Sequence, residues 1–498
     1  MKYLISLDSG TTSARSLVFE ENGKLIKLVQ KELSLLFPQP NYVEQNPLEL
    51  YSALYATLIE SITSLNLNAD DILSISITNQ RETTIVWDKK TGKPIYNAIN
   101  WQDNRTKEQI EKILQDKKNT DKIKNITGLT PSSYFSATKI QWILNNVKGA
   151  RKKADKNELC FGTVDTYLIY KLTNGKVFKT DYTNASRTML FDIQELNWSK
   201  DLLNYFNIPE SILPTPVAST SNFGTVSIFG KEIKITGVVG DQQAALIGQT
   251  CLHSGDVKCT YGTGCFLLLQ TEHKRIKSSH GLFTTISAQT TSKKDIYYAL
   301  EGSIFIGGAL VQWLRDQLNF IKEASESEKL ANEAKSSNGI YIVPAFSGLS
   351  APYWDPYAKG TIFGLTRSSN KNQIVRASLE SIAYQVNDLI EVFRKETNLE
   401  INKLKVDGGA SKNSFLMQFQ SDISNLEIIS NQNQESTAFG AFFLALLANK
   451  KIKSLDEVSK FVKINKIYQP EMAEKIRLEK IKRWKKAVKM SCGWEKEE

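Results

Sequence analysis

Twice in this chain an apolar stretch breaks into a short turn rich in glycine and hydroxyls and then resumes. The first instance runs from Lys2 to Arg15, KYLISLDSGTTSAR; in the second, Val257 to Tyr261 meets Gly262-Thr263-Gly264 and continues as Cys265 to Gln270. Lys2 to Leu7 has no helical period and is short enough for a buried strand, and Ser16 to Glu20 suits its partner. Asn22-Gly23 is a two-residue hairpin signal leading into the alternating run from Lys24 to Val29. The first turn is therefore expected at the tip of a β-hairpin. Asp8 would stand at the strand end, Gly10 would let the backbone approach a ligand closely, and Thr11, Thr12 and Ser13 would offer hydroxyls and amides. Such groups suit a phosphate, although turn composition alone explains the same residues. The pattern G-x-x-x-x-G-K-[ST] of a strand-to-helix phosphate loop does not occur.

A recurring supersecondary unit implies duplication, and 498 residues exceed what one hydrophobic core supports. The expectation is an α/β protein of two domains, residues 1–250 and 251–498, with a cleft between them. No apolar run approaches the roughly 18 residues of a membrane span. The N-terminus reads as a strand, not a leader. Five cysteines without C-x-x-C pairing and only three histidines speak against a disulfide frame or a zinc site, and fit a reducing cytoplasm. The net charge of +10 is spread along the chain, so a solvated surface explains it better than a nucleic-acid partner.

Several polar clusters fall where strands or helices begin or end. Asn46-Pro47 caps a helix with Leu48, Tyr51, Leu54, Leu58 and Ile62 at helical spacing. Ile72 to Ile77 alternates as a strand and ends in Thr78-Asn79-Gln80-Arg81-Glu82-Thr83-Thr84, a position suited to binding groups, although Arg81 and Glu82 also fit a surface ion pair. Trp101 opens a further cluster, Tyr134 precedes a helix, and Asp181 to Arg187 reads as a polar loop. Lys234 to Leu246 reads as a strand, a tight glycine turn, Asp241 and a small-residue helix, with a helix cap as the plain reading of Asp241. In the second half, Gly307-Gly308 leads into a helix with Gln312. Asp407-Gly408-Gly409-Ala410-Ser411-Lys412-Asn413 follows a strand and leaves amides free for a nucleotide.

The order of these loops on a duplicated plan, with ITNQRETT (77–84), GDQQAA (240–245), YGTGC (261–265) and APYWDP (351–356), resembles the carbohydrate kinases of the FGGY type, from Tyr3 to about Ala448. Within them, Asn79 to Thr83 resembles the branch acting on glycerol. The resemblance implies two ribonuclease-H-like domains, as in actin and hexokinase, and ATP-dependent phosphorylation of glycerol to sn-glycerol 3-phosphate. It implies a polyol held by Arg81, Glu82, Tyr134, Asp241 and Gln242 between Trp101 and Phe266, with Asp241 as general base. It also implies nucleotide contacts at Thr11, Thr12, Ser13, Arg15, Thr263, Gly308, Gln312, Gly409 and Asn413, and Mg2+ near Asp8 and Asp241. A cytoplasmic homo-oligomer, dimer or tetramer, with no nucleic-acid partner and no membrane insertion, completes the expectation.

Three rivals are a kinase for another polyol or ketose, an actin-like nucleotide switch, and a nucleic-acid binder built on the basic stretch from Lys475 to Lys489. In that stretch Ile481, Trp484 and Val488 at helical spacing favour a packed terminal helix. A switch leaves Arg81, Glu82 and Asp241 unexplained. Some relatives respond to fructose 1,6-bisphosphate through an arginine-bearing loop, or to phosphorylation of a nearby histidine. The corresponding segment here, Phe223 to Lys234, has neither residue, so neither response is expected.

Overall fold

The computed structural model describes residues 2–496. Strands β1 (Tyr3–Ser9), β2 (Ser13–Glu20) and β3 (Leu25–Glu32) form an antiparallel meander, with Ser9 opposite Ala14 across a tip at residues 10–12. Asp8 thus stands at the end of the first strand, as expected, paired with Arg15. Two more strands, β4 (Ile72–Asn79) and β6 (Lys231–Gly240), run parallel to β1, and β5 (Asn222–Ile228) edges β6 antiparallel, giving the order 5-6-4-1-2-3.

The second sheet repeats the plan. Here β7 (Val257–Tyr261), β8 (Cys265–Glu272) and β10 (Tyr298–Ile304) are the meander, while β11 (Lys403–Asp407) and β12 (Glu427–Asn431) run parallel to β7. Edge strands β9 (Phe283–Ile286) and β13 (Ile464–Tyr468) complete the order 9-10-8-7-11-12-13. Without their edge additions both sheets share one topology, an antiparallel meander followed by two strands parallel to its first, which is the ribonuclease-H-like fold.

The parallel strands are buried on both faces, so each sheet is covered twice. Helix α1 (Pro47–Ser64), whose Asn46 cap accepts the Leu48 amide, lays Leu50, Leu54, Leu58 and Ile62 on Ile5, Leu7, Ile75 and Ile77. The opposite face, with Leu4, Leu17, Phe19 and Val239, takes α4 (Ser436–Ala448), which comes from the far end of the chain. That helix also crosses α2 (Asp241–Gly248): a Cβ on Gly440 would meet the Ala244 carbonyl oxygen at 1.8 Å, and one on Gly248 would meet that of Ser436 at 2.0 Å. Only glycine allows two backbones this close.

Other expectations are met or corrected locally. The terminal helix Glu474–Ser491 buries Trp484, Ala487 and Val488 and leaves its basic face outward, with Trp484 stacked on Tyr384. No glycine turn separates β6 from α2; the strand ends at Gly240 and the helix starts at Asp241. Residues 181–187 are not an exposed loop but a buried turn of helix, Tyr182–Ala185, with Arg187 itself fully buried. Polarity is tolerated there because most of these groups find partners, Arg187 Nη1 being a buried exception. Asp181 accepts the amides of Thr183 and Asn184, Thr183 Oγ1 accepts the Gly240 amide, and the side chains of Asn184 and Asn79 pair.

Candidate active site

The ends of β1, β4 and β6 bring Asp8, Arg81 and Asp241 to one edge of the first sheet, and β10 brings Glu301 from the second sheet to meet them. Arg81 is fully buried. Its Nε lies 3.1 Å from Asp241 Oδ1 and 3.9 Å from Glu82 Oε1, and its Nη1 and Nη2 each lie 2.8 Å from one oxygen of Glu301. A planar guanidinium can grip one carboxylate, Glu301, with two donors while keeping two others, Asp241 and Glu82, within ion-pair range. Burial works against its charge, yet Glu301 and Glu82 carry its pKa well above the usual arginine value.

Glu82 adopts a left-handed backbone at φ 60°, which turns its side chain back into the interior. There Arg187 Nε donates to Oε1 at 2.6 Å, and Arg187 Nη2 donates to Glu301 Oε1 at 3.1 Å. Burial still raises the Glu82 pKa against both arginines. Glu301 is the opposite case: burial opposes its charge, but Arg187 and Arg81 hold it at about 2. Burial also raises Asp241, with Arg81 and Lys258 pulling it back. Asp241 Oδ1 accepts the Gln242 amide at 2.7 Å, and the side chain stays 29% exposed, so one carboxylate oxygen remains open to the cleft.

Tyr134, Trp101 and Phe266 stand around the same space. Trp101 meets Tyr134 edge-on at 5.6 Å and Phe266 at 6.2 Å, which places an aromatic wall of the first half against one of the second. Burial pushes the Tyr134 hydroxyl pKa up, so it remains a neutral donor. The loops carrying Trp101 and Tyr134 are tied by Lys139, whose ammonium donates to the carbonyls of Asn100 at 2.8 Å and Tyr134 at 3.1 Å; burial lowers its pKa to about 7. Gln242 Oε1 accepts from the buried Lys258 of β7.

The structure brings the expected polyol residues together, and it adds four that the sequence reading missed: Arg187, Glu301, Lys258 and Lys139. Each had a faint signal. Glu301 and Lys258 are lone charges inside apolar strands, Lys139 is one inside an apolar helix face, and Arg187 ends a run of small polar residues.

The two hairpin tips flank this cluster. In the first, Thr12 is exposed, Thr11 Oγ1 accepts from Trp101 Nε1 at 2.9 Å, and the Gly10 amide donates to Ser13 O at 2.9 Å. Arg15 does not point free into solvent; it pairs with Asp8 and with Glu435 at the start of α4. In the second half, Thr263, Gly308, Gln312, Gly409 and Asn413 all line one cleft of about 550 Å³, together with Arg315, Ser325 and Lys412. The amides of Gly307 and Ala309 donate to Thr263 O, and that of Gly308 donates to Gly262 O, so α3 (Gly308–Asp316) braces the second tip. Gly408 has φ 86°, and a Cβ there would lie 2.5 Å from Tyr261 O; Gly409 beside it faces open space. Asn413 caps the helix Ser414–Ser424 by accepting the Leu416 amide. The cleft therefore offers backbone and hydroxyl donors on a rigid frame.

For a divalent cation the donors are sparse. Asp8 and Asp241 are both carboxylates with pKa values raised by burial, and the charge of Asp8 is among those raising Asp241. No cluster of three or more acidic, histidine or cysteine side chains forms a cage among the described residues. Ser9 Oγ and Thr78 Oγ1, at the same strand ends, are buried without partners. Two like carboxylates beside unsatisfied hydroxyls fit a magnesium ion that keeps water and takes phosphate oxygens, not one held by protein alone.

Comparison with known proteins agrees in both halves. The model of the FGGY family of carbohydrate kinases, N-terminal domain, matches residues 3–248, and that of the C-terminal domain matches residues 257–449. A glycerol kinase of Clostridium beijerinckii is 50% identical over the whole of both chains. The crystal structure of Plasmodium falciparum glycerol kinase with ADP superposes with a TM-score of 0.92 at 38% identity, covering 99% of this chain and 98% of that one. A ligand-bound xylulose kinase from Lactobacillus acidophilus, at 23% identity and a TM-score of 0.86 over 99% of this chain and 97% of that one, shares the fold.

Proposed function

The chain belongs to the FGGY family of carbohydrate kinases, and on that premise we propose that it transfers the γ-phosphoryl group of ATP to glycerol, giving sn-glycerol 3-phosphate and ADP. The observation that supports the substrate choice is the Arg81, Glu82, Asp241 and Gln242 set gathered where the aromatic wall of Trp101, Tyr134 and Phe266 joins the two halves. A triol presents hydroxyls that donate and accept. Glu82 and Asp241 accept, Arg81 and Gln242 donate, and the aromatic pair covers the carbon backbone.

In the reaction the terminal hydroxyl gives its proton to Asp241 as its oxygen bonds to the γ-phosphorus; the bond from that phosphorus to the bridging oxygen breaks and ADP leaves. Asp241 suits this because burial raises its basicity while Arg81 fixes one oxygen and leaves the other for the proton. Thr11, Thr12 and Ser13 from the first hairpin and Thr263 from the second donate to the phosphates. Arg15 acts through Asp8, and Gly308, Gln312, Gly409 and Asn413 frame the nucleotide. A magnesium ion at Asp8 and Asp241 would neutralise charge building on the transferred phosphoryl group. Closure of domains 1–250 and 251–498 around both ligands excludes water that would otherwise accept the phosphoryl group.

The same reading carries a cytoplasmic homo-oligomer without a nucleic-acid partner; among the described residues no helix is long and apolar enough to cross a membrane. A coupled ADP-release assay across glycerol, dihydroxyacetone, xylulose and gluconate tests the substrate. Glycerol is expected to give the highest kcat/KM, and a clear preference for xylulose or gluconate would refute the proposal.

A further inference from the structure

Glu301 has no role in the chemistry set out above, yet it accepts more hydrogen bonds from charged donors than either other carboxylate around Arg81. It sits in β10 of the second sheet, fully buried, and both its oxygens are engaged by arginines of the first half: Arg81 on each at 2.8 Å and Arg187 on one at 3.1 Å. A carboxylate in an apolar strand costs several kcal/mol to desolvate unless its partners are well placed. Here they are, since burial is overcome and the group stays ionised.

From this geometry we infer that Glu301 is the positioning residue for the polyol site, fixing the Arg81 guanidinium across the domain boundary so that glycerol affinity depends on a carboxylate from the opposite half. The inference rests on the glycerol reading above. The fork of Arg81 has five donors. Glu301 accepts from both terminal nitrogens, Gln243 Oε1 accepts from Nη1 at 3.1 Å, and Nε lies 3.1 Å from Asp241 Oδ1 as an ion pair. Without Glu301 the plane of the guanidinium is no longer determined by a bidentate grip, and the nearest anions left to it are Asp241 and Glu82. Arg81 would then collapse onto the two carboxylates that should accept glycerol hydroxyls. Glu301 is also the carboxylate that Arg81 and Arg187 share, so its loss removes negative charge from beside two buried cations. The contact spans the two sheets, so the polyol site is complete only when they are together.

The test compares wild type with Glu301→Gln, measuring glycerol affinity by calorimetry without nucleotide, and KM for glycerol and for ATP separately. Glycerol affinity is expected to fall about 10- to 100-fold, the worth of one or two charged hydrogen bonds, while the ATP KM moves by less than about threefold. In an Arg81→Ala background the same change at 301 should add less than about threefold, because its effect passes through Arg81. Should Glu301→Gln fail to fold, Glu301→Asp keeps the charge but loses the reach to grip both arginines, and the same selective loss is expected. Unchanged glycerol affinity, equal weakening of both substrates, or a full additional loss in the Arg81→Ala background would each overturn the inference. A wild-type enzyme that ignores glycerol overturns instead the functional reading beneath it.

Discussion

Replacing Gly440 by alanine tests how the two halves are held. The added Cβ would lie 1.8 Å from the Ala244 carbonyl oxygen, 2.5 Å from its carbon and 3.0 Å from the Ala244 Cα, all backbone atoms that no rotamer change can move. To restore a contact of 3.4 Å, α4 and α2 must part by about 1.6 Å. Overpacking of this kind costs typically 1–3 kcal/mol, and a backbone-to-backbone clash belongs at the upper end, about 3 kcal/mol. At about 2–4 °C per kcal/mol for a domain of this size, Tm should fall by roughly 6–12 °C. The same displacement carried to the cleft would stretch the 2.8 Å pairs between Arg81 and Glu301 past hydrogen-bond reach, so glycerol affinity should fall as well. Thermal melts and glycerol calorimetry on Gly440→Ala check both effects. Ser436→Ala is the control, since the Ser436 hydroxyl is buried without a partner and its loss should be neutral. A Gly440→Ala protein melting within about 1 °C of wild type with unchanged glycerol affinity would refute the reasoning.

Three further outcomes are expected. Asp241→Asn should lower kcat by about 10²- to 10⁴-fold with nucleotide affinity largely kept, and near-normal turnover would remove Asp241 as the base. Asp165, whose pKa is pushed up to about 7 by burial and by Asp181, is held protonated in the fold, so its stabilisation is complete below about pH 4 and fades as pH rises through 7. Asp165→Asn mimics the protonated acid and should therefore gain about 4 kcal/mol in urea denaturation at pH 8 and almost nothing at pH 4; equal effects at both would contradict this. Millimolar fructose 1,6-bisphosphate, and separately a phosphohistidine carrier protein, should leave activity unchanged. The β5–β6 hairpin has no arginine or histidine and its Lys231 is engaged by Asp70; inhibition by the first or stimulation by the second would place a control site elsewhere.

What the sequence disclosed was local. The hairpin tips at 10–12 and 262–264, the Asn46-Pro47 helix start and the Arg81-Glu82 strand end are set by neighbours within a few residues, so pattern alone exposes them. Asp181 to Arg187 misled because polar composition is the usual mark of a solvated loop. There most of the polar groups pair with one another or with neighbouring strands, and the segment is buried. Arg187 and Glu301 were missed for a different reason: their partners lie 105 to 220 residues away, and no periodicity records an ion pair across two sheets. The same holds for α4, an apolar helix of the second half that packs on the first sheet; its burial is evident from composition, its destination is not.

The product itself gives the most direct test of the central claim, that this cleft binds glycerol in one orientation with a terminal hydroxyl against Asp241. Incubation with ATP, magnesium and ¹³C-glycerol, followed by ³¹P and ¹³C NMR and oxidation by a stereospecific sn-glycerol-3-phosphate dehydrogenase, reads both position and hand. A single phosphomonoester on a terminal carbon, fully consumed by that dehydrogenase, is predicted. A 2-phosphate, a racemic product or release of inorganic phosphate alone would contradict the account.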